Sequence, residues 1–162
     1  TETLSIPSKT VLLEEGKVAD RLYFIRKGCL RLFFYNEGKD ITFQFFFEGD
    51  FVASFDSLYK GTPSLFSLES IEPSKVLFIK KEDFYKKIEG SPSLRKLYEE
   101  KIIERFSFYQ HLFLSRIKNT PQQRYEGLLK EYPNIIQRVP QHYIASYLGI
   151  TPVSLSRIRN RR

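Results

Sequence analysis

Short apolar runs alternate with glycine-containing turns in the first part of the chain. A glycine recurs every ten to twelve residues there, and the runs between the glycines are apolar or alternating. The glycines are Gly16, Gly28, Gly38, Gly49 and Gly61. This spacing is typical of successive β-strands joined by turns in a sandwich or barrel. The pattern therefore predicts a β-roll over residues 1–90.

Two adjacent runs in this region predict a hairpin. The run CLRLFFY and the run ITFQFFF are separated by NEGKD, whose Asn36 and Gly38 suit a tight turn. Side chains alternate across a strand, so every second residue of ITFQFFF shares a face that we expect to pack as one unit. That face consists of Ile41, Phe43, Phe45 and Phe47. A further strand pair, LFSLESI and KVLFI, and a short helix at about residues 81–87 complete the predicted roll.

A long amphipathic helix is predicted next. Ser91 and Pro92 pair a capping residue with a first-turn proline, and apolar residues then recur every three or four positions to about Lys118. At roughly 1.5 Å per residue, this helix would span about 40 Å. A stripe of that length suits a helix that packs on its own domain and on a second subunit, through Tyr98, Ile102, Phe106, Tyr109 and Phe113. The alternative is a helix buried within the monomer.

The C-terminal segment QHYIASYLGITPVSLSRIRNRR predicts a helix-turn-helix. Thr120, Pro121 and Gln123 open a capped connecting helix that Pro133 ends, before this segment begins. Its expected buried positions are Ile144, Ala145, Leu148, Ile150, Leu155 and Ile158. Gly149 stands where the turn favours positive φ, and Thr151 and Pro152 suit the start of a second helix. A generic amphipathic helical hairpin would reproduce part of this pattern.

The charge distribution indicates what kind of partner the C-terminal half would bind. Residues 1–90 carry 13 Lys and Arg against 14 Asp and Glu, whereas residues 91–162 carry 13 against 5. No acidic residue follows Glu131, yet five arginines do. A basic C-terminal half favours a polyanionic partner, most simply the phosphates of nucleic acid. A basic face kept for solubility is the alternative.

The composition excludes several classes of protein and of site. Hydrophobic residues make up 41% of the chain, which excludes general disorder, and no membrane span or signal peptide is recognisable, so we expect a cytoplasmic protein. Cys29 is the single cysteine and is expected to be a buried thiol. His111 and His142 lack neighbouring ligands at metal spacing, so no metal site is expected. The chain starts at Thr1 and has no methionine, so we expect it to be a processed or incompletely represented sequence.

The order of elements, together with four segments, resembles the Crp/Fnr superfamily of bacterial transcription regulators. The segments are LYFIRKGCLRLFF, EGKDITFQFFFEGDFVASFDSLY, KVLFIKKEDFYK and IASYLGITPVSLSRIR. The resemblance implies an α+β protein with a cyclic-nucleotide-binding-like β-roll (1–90), a long dimerisation helix (91–118) and a helix-turn-helix domain (119–162). It also implies a homodimer that reads a two-fold-related site on double-stranded DNA. The β-hairpin wing usual in this family is expected to be absent, shortened or not represented.

The effector position departs from the family pattern. Members that bind cyclic AMP carry Gly-Glu after GDF and an Arg followed by Ser or Thr about ten residues later. Here the corresponding residues are Ala53, Ser54, Phe55, Ser64 and Leu65. A buried phosphate needs cationic or dense N–H partners, so cyclic AMP is not the expected effector. One cysteine cannot hold an iron–sulfur cluster within a chain, and we expect no cofactor.

Another effector remains open. The phenylalanines Phe45, Phe47, Phe55 and Phe66 mark a candidate pocket for an apolar small molecule, if the protein has an effector.

The resemblance also assigns candidate DNA contacts. Base edges would be met from the second helix, with Arg157 reading a guanine and Val153 meeting a thymine methyl. The full set of expected contacts is Gln141, His142, Thr151, Pro152, Val153, Ser156, Arg157, Asn160, Arg161 and Arg162. RNA polymerase is a further possible partner. A non-DNA-binding sensor or protein-interaction module is the rival class. No catalytic constellation is recognisable, so an enzyme is not expected.

Overall fold

Two four-stranded antiparallel sheets form the N-terminal part of the computed structural model, which describes residues 2–161. The first sheet has the order β1 (Glu2–Ile6), β8 (Ser74–Lys80), β3 (Arg21–Lys27), β6 (Phe51–Val52). The second has the order β2 (Val11–Leu13), β7 (Ser67–Ser70), β4 (Leu30–Asn36), β5 (Lys39–Phe46). Buried apolar residues of both sheets, including Leu32, Leu68 and Val76, pack into one cluster between them. The predicted β-roll is confirmed.

A bulge in β5 changes which residues share a face. Leu32 of β4 pairs with Gln44, whereas the next residue of β4, Phe33, pairs with Thr42, so Phe43 is an extra residue on β5. A bulge interrupts the two-residue alternation of side chains. Phe43 consequently packs with Phe46 against the cluster between the sheets, whereas Phe45 belongs to a different cluster formed with the C-terminal helices. The prediction of a single face through Ile41, Phe43, Phe45 and Phe47 is therefore wrong.

Two short helices close the roll. Helix α1 (Phe55–Lys60) follows β6, and α2 (Lys81–Glu89) follows β8, where a short helix was predicted. Phe84 and Ile88 of α2 are buried against the outer residues of the first sheet. Cys29 is fully buried, and this burial raises the pKa of its thiol far above the ordinary value, so the thiol is structural as expected.

Helix α3 (Pro92–Lys118) has the predicted bounds. The Ser91 side chain accepts a hydrogen bond from the Leu94 amide at 3.3 Å, which satisfies one of the free N–H groups of the first turn. None of its described residues is fully buried, and four apolar side chains on it are 63–67% exposed: Ile103, Phe106, Phe113 and Ile117. The alternative of a helix buried within the monomer is therefore wrong.

Four further helices pack into a second core. They are α4 (Pro121–Glu131), α5 (Pro133–Arg138), α6 (Gln141–Leu148) and α7 (Pro152–Asn160). Thr120 and Gln123 form the predicted capping box at the start of α4. Buried residues from all four helices pack together with Cys29 and Phe45 of the roll. None of the helices described within residues 2–161 has the length and apolar character needed to cross a membrane.

Candidate nucleic-acid interface and effector position

The turn between α6 and α7 is fixed by backbone geometry. Gly149 adopts φ +71°, and its N–H donates to the Ser146 carbonyl at 2.9 Å, while the Ile150 N–H donates to the Ala145 carbonyl at 3.0 Å. These bonds use carbonyls that the end of α6 would leave free. The Thr151 hydroxyl then accepts from the Ser154 amide at 3.1 Å and starts α7. The predicted roles of Gly149 and Thr151 are confirmed.

Helix α7 has one packed face and one exposed face. Leu155 is buried and Ile158 is half-buried, and both pack in the second core. Residues at three- and four-residue spacing on the opposite face are exposed: Val153, Ser156, Arg157 and Asn160. We call these four residues the α7 outer face. Thr151, Pro152 and Arg161 beside it are also exposed, whereas Arg162 lies outside the described residues.

Three arginines on and beside α7 have no acidic partner among the described residues. Within residues 2–161, no carboxylate lies within 4 Å of the guanidinium groups of Arg157, Arg159 or Arg161. Gln141 and His142 at the start of α6 are exposed as well, and the His142 ring lies 4.0 Å from the Tyr143 ring, centroid to centroid. Positive charge near α7 is therefore available to an external anion.

Two arginines hold the C-terminal end of α6. Arg116 of α3 donates to the Tyr147 carbonyl, and Arg124 of α4 donates to the Leu148 carbonyl at 2.8 Å. Cations near a helix C-terminus are stabilising because the last carbonyls carry partial negative charge. Sequence reasoning missed both residues, since their role depends on which helix end the folded chain places beside them.

Helix α6 also rests directly on the β-roll. The Ser146 hydroxyl accepts from the Thr42 amide at 2.8 Å and donates to the Asp40 carbonyl at 3.1 Å. Both partners lie on β5, which is the edge strand of the second sheet. Ser146 therefore takes the place of a further strand at this point and satisfies backbone groups that the edge would leave unpaired.

A buried arginine strengthens the same contact. Arg31 of β4 is 2% exposed, and its guanidinium lies between the rings of Phe33 and Tyr143, 3.9 and 4.0 Å from their centroids. It donates to Glu69 at 2.8 Å and to Asp40 at 2.6 Å. Burial alone would lower the pKa of Arg31, but these hydrogen bonds outweigh it and keep the group charged.

A third contact joins α5 to the roll. Arg138 donates to both carboxylate oxygens of Glu48, at 2.8 and 2.9 Å, and also to Glu72. These hydrogen bonds lower the pKa of Glu48 to about 2 and raise the pKa of Arg138 above its ordinary value. Arg138 is therefore not one of the free cations, although the sequence groups it with them.

The residues of the effector position differ in burial and in partners. Ala53, Ser54 and Ser64 are buried close together, and the Ser54 and Ser64 hydroxyl oxygens are hydrogen-bonded at 2.8 Å. The Ser64 hydroxyl also lies 2.7 Å from the Phe66 carbonyl oxygen. Leu65, which the sequence places in this pocket, is instead 77% exposed. Phe55 is half-buried and its ring packs toward Tyr98 of α3, with centroids 6.5 Å apart.

A family model described as the cyclic nucleotide-binding domain matches residues 3–91. The chain belongs to this family. No curated protein sequence matches the chain. Within its cyclic nucleotide-binding domain, the cation nearest the effector position in sequence is Lys60, whose ammonium pairs with Asp56 at 2.6 Å. The match covers the β-roll and ends at the start of α3.

Solved structures extend the likeness to the whole chain. FixK2 from Bradyrhizobium japonicum is 17% identical, with a TM-score of 0.83 over 99% of this chain and 83% of that one. A CooA mutant from Carboxydothermus hydrogenoformans is 15% identical, with a TM-score of 0.77 over 99% and 75%. The c-di-GMP responsive regulator CLP of Xanthomonas campestris is 17% identical, with a TM-score of 0.77 over 99% and 85%. At this identity the likeness shows a Crp/Fnr-like fold.

Proposed function

We propose that this protein is a sequence-specific, DNA-binding transcription regulator of the Crp/Fnr type. The observation that carries the proposal is the α7 outer face, which is exposed and uncharged apart from Arg157. It is flanked by Arg159 and Arg161, which have no carboxylate within 4 Å among residues 2–161. A helix presented in this way fits the major groove, with base contacts from its centre and phosphate contacts from its flanks. Such a regulator would act in the cytoplasm.

The roles within this face differ by chemistry. Arg157 is proposed to read a guanine, because its planar guanidinium matches the O6 and N7 acceptors, and Val153 to meet a thymine methyl. Ser156 and Asn160 are proposed to contact base edges nearby. Arg159 and Arg162 are proposed to bind phosphates, and Arg161 follows Arg157 by one helical turn. Thr151, Pro152, Gln141 and His142 complete the contacts at the helix starts.

A homodimer is proposed through α3. The exposed apolar residues recur at three- and four-residue spacing and form one stripe, Ile102, Phe106, Tyr109 and Phe113. Exposed apolar side chains of this size favour burial against a second copy. Tyr98 continues this stripe toward the start of α3, but it is half-buried and its ring packs 5.3 Å from Phe84 of the same chain, centroid to centroid, so its side chain is less available to a second copy. Two copies would place their α7 helices about 34 Å apart, one turn of DNA.

Cyclic AMP is not the proposed effector. In support, the positions that the family resemblance assigns to the cyclic nucleotide hold Ser54 and Ser64, whose hydroxyls are hydrogen-bonded to each other, and Leu65, which is 77% exposed. Desolvating a phosphate there without a cation would cost several kcal/mol. Isothermal titration is expected to show no cyclic AMP binding at low micromolar concentration, and binding in that range would contradict the proposal. RNA polymerase is a proposed partner of the DNA-bound dimer.

Selection of bound sequences from random DNA tests the function. A palindromic consensus is the expected result, because two related α7 helices would read two half-sites. Arg157→Ala should weaken binding to that consensus by about 1 to 3 kcal/mol and relax one base position. Arg159→Ala is the matched control and should weaken binding to all sequences alike. Absence of any sequence preference would favour a sensor or protein-interaction module whose basic surface binds an acidic protein.

A further inference from the structure

A cavity of about 300 Å³ lies where the β-roll, α3 and the C-terminal helices meet. Phe45, Phe51 and Phe55 line it from the roll, and Tyr132, Ile135 and Tyr147 line it from the link between α4 and α5, from α5 and from α6. Leu94, Leu97 and Phe108 are among the residues that line it from α3. Of the effector-position residues, Phe55 lines this cavity, whereas Ala53, Ser54, Ser64 and Leu65 do not, so the cavity adjoins the Ser54–Ser64 pair without including it.

The size and surface of this cavity suit a small organic ligand. At about 30 Å³ per water molecule, the cavity would hold about ten waters, or a ligand of about ten non-hydrogen atoms. Its walls are mostly apolar and aromatic: the Phe45 and Tyr147 rings lie 5.3 Å apart and the Phe108 and Tyr132 rings 6.0 Å apart, centroid to centroid. Ligand sites typically combine such walls with a few placed polar groups.

The charged groups of the cavity leave one cation without a carboxylate. Lys101 and Glu104 pair with each other at 2.7 Å, and the Asp50 carboxylate accepts from the Phe47 amide at 2.9 Å. Arg105 has no carboxylate within 4 Å among residues 2–161. Its guanidinium only donates a long hydrogen bond, 3.4 Å, to the Phe51 carbonyl and lies over the Phe46 ring.

A second polar group in the cavity has no partner. Tyr147 is 6% exposed, and no residue within 2–161 is hydrogen-bonded to its hydroxyl. Burial raises the pKa of Tyr147 to about 12, so the hydroxyl keeps its proton and remains a donor at neutral pH. An acceptor atom of a ligand in the cavity would give this hydroxyl a hydrogen-bond partner.

We propose that this cavity binds a small organic anion with an apolar body, whose carboxylate pairs with Arg105. The apolar body would lie against the phenylalanine rings, and Tyr147 would donate to an acceptor atom of the ligand. Because the walls come from the β-roll, α3 and the C-terminal helices, a bound molecule contacts all three at once. This inference goes beyond DNA reading, and it places the ligand apart from the Ser54–Ser64 pair.

Isothermal titration of the full chain, without DNA, tests the proposal with three probes. These are 3-phenylpropanoate, octanoate and the neutral 3-phenylpropan-1-ol. Either anion is expected to bind at least about tenfold more tightly than the alcohol, since a charge-assisted hydrogen bond contributes that much. Whichever anion binds more tightly then shows whether the apolar part of the ligand is aromatic or aliphatic. No binding of either anion up to roughly 5 mM would overturn the proposal.

Three variants locate the site. Arg105→Gln should weaken anion binding at least about tenfold and leave the alcohol unaffected, whereas Arg95→Gln on the same helix, exposed and outside the cavity, should change neither. Leu97→Trp should fill the cavity and weaken all three probes without disturbing a buried position, because Leu97 is 45% exposed. Equal anion affinity in the Arg105 and Arg95 variants would overturn the assignment. A failure here leaves the proposed DNA binding untouched, since no DNA is present.

Discussion

The effector position and the α7 outer face treat their polar groups in opposite ways. At the effector position, the buried hydroxyls of Ser54 and Ser64 are hydrogen-bonded to each other. On α7, the packed side is apolar, while the guanidinium groups of the exposed side have no partner among the described residues. Polar side chains that are hydrogen-bonded within the chain stabilise the fold, whereas exposed polar side chains without such partners are suited to bind another molecule. The following predictions test that division.

The largest expected effect separates the two sides of α7. Leu155→Ala should lower the free energy of unfolding by about 3 kcal/mol, because Leu155 is 1% exposed and its removal leaves a cavity in the second core. Val153→Ala, on the outer face and 61% exposed, is the matched control and should change it by less than about 0.5 kcal/mol. Urea unfolding followed by circular dichroism measures both. Similar losses would show that the outer face is structural.

The turn of the helix pair is the next most sensitive point. Gly149→Val should lower the free energy of unfolding by about 2 kcal/mol, because a β-branched residue is strained at φ +71°. The new Cβ would also lie 3.3 Å from the Arg116 guanidinium, which holds the end of α6. Gly38→Val has positive φ but open space around the site, so thermal unfolding of the pair separates strain from crowding. An equal loss in both variants would assign the whole effect to backbone strain.

A smaller effect is expected at the effector position. Ser64→Ala should lower the free energy of unfolding by about 1 kcal/mol, because it removes the buried partner of the Ser54 hydroxyl. DNA affinity should stay unchanged, since this pair lies in the β-roll. Chemical unfolding and a DNA-binding titration on the same sample check both statements. A loss of DNA affinity larger than the loss of stability would show that the effector position influences DNA binding.

The smallest effect concerns acid. The folded-state pKa of Glu48 is lowered to about 2 from an ordinary value of 4.5, so its pairing with Arg138 stabilises the protein above about pH 4.5 and is lost as the pH falls toward 2. Because Glu48 is 41% exposed, solvent screening limits the contribution to about 1 kcal/mol or less. Unfolding measured across that pH range should be steeper in the native protein than in Glu48→Gln. Parallel curves for the two proteins would show that this contact does not contribute to the loss of stability in acid.

Local signals made much of the fold predictable. Ser91, Thr120 and Thr151 each precede a proline, and each caps a helix in the structure, because capping depends on atoms within one turn. The bulge at Phe43 was not predictable from alternation, since it depends on how β5 pairs with β4. The exposure of Leu65 was missed for a similar reason: it follows from the contacts of its neighbour Ser64.

Of the two candidate sites, one was predictable from local sequence and the other was not. The α7 outer face could be predicted because helical spacing alone separates it from Leu155 and Ile158. The cavity at Arg105 could not, because its walls come from segments far apart in sequence. The phenylalanine pattern gave a partial signal: Phe45, Phe47 and Phe55 do line that cavity, whereas Phe66 packs against Phe43 inside the roll, with centroids 5.2 Å apart.

The enclosure of Arg31 has a consequence for how such proteins can be recombined. One side of its guanidinium is covered by Tyr143 of α6, and its acidic partners Asp40 and Glu69 come from the second sheet. In a chimera that joined α4–α7 to a different sandwich, Tyr143 would lose the Arg31 guanidinium beside it. The original roll, without α6, would expose the Arg31 charge that is now buried. The two halves are therefore not interchangeable modules, and a successful exchange must carry the residues of both surfaces together.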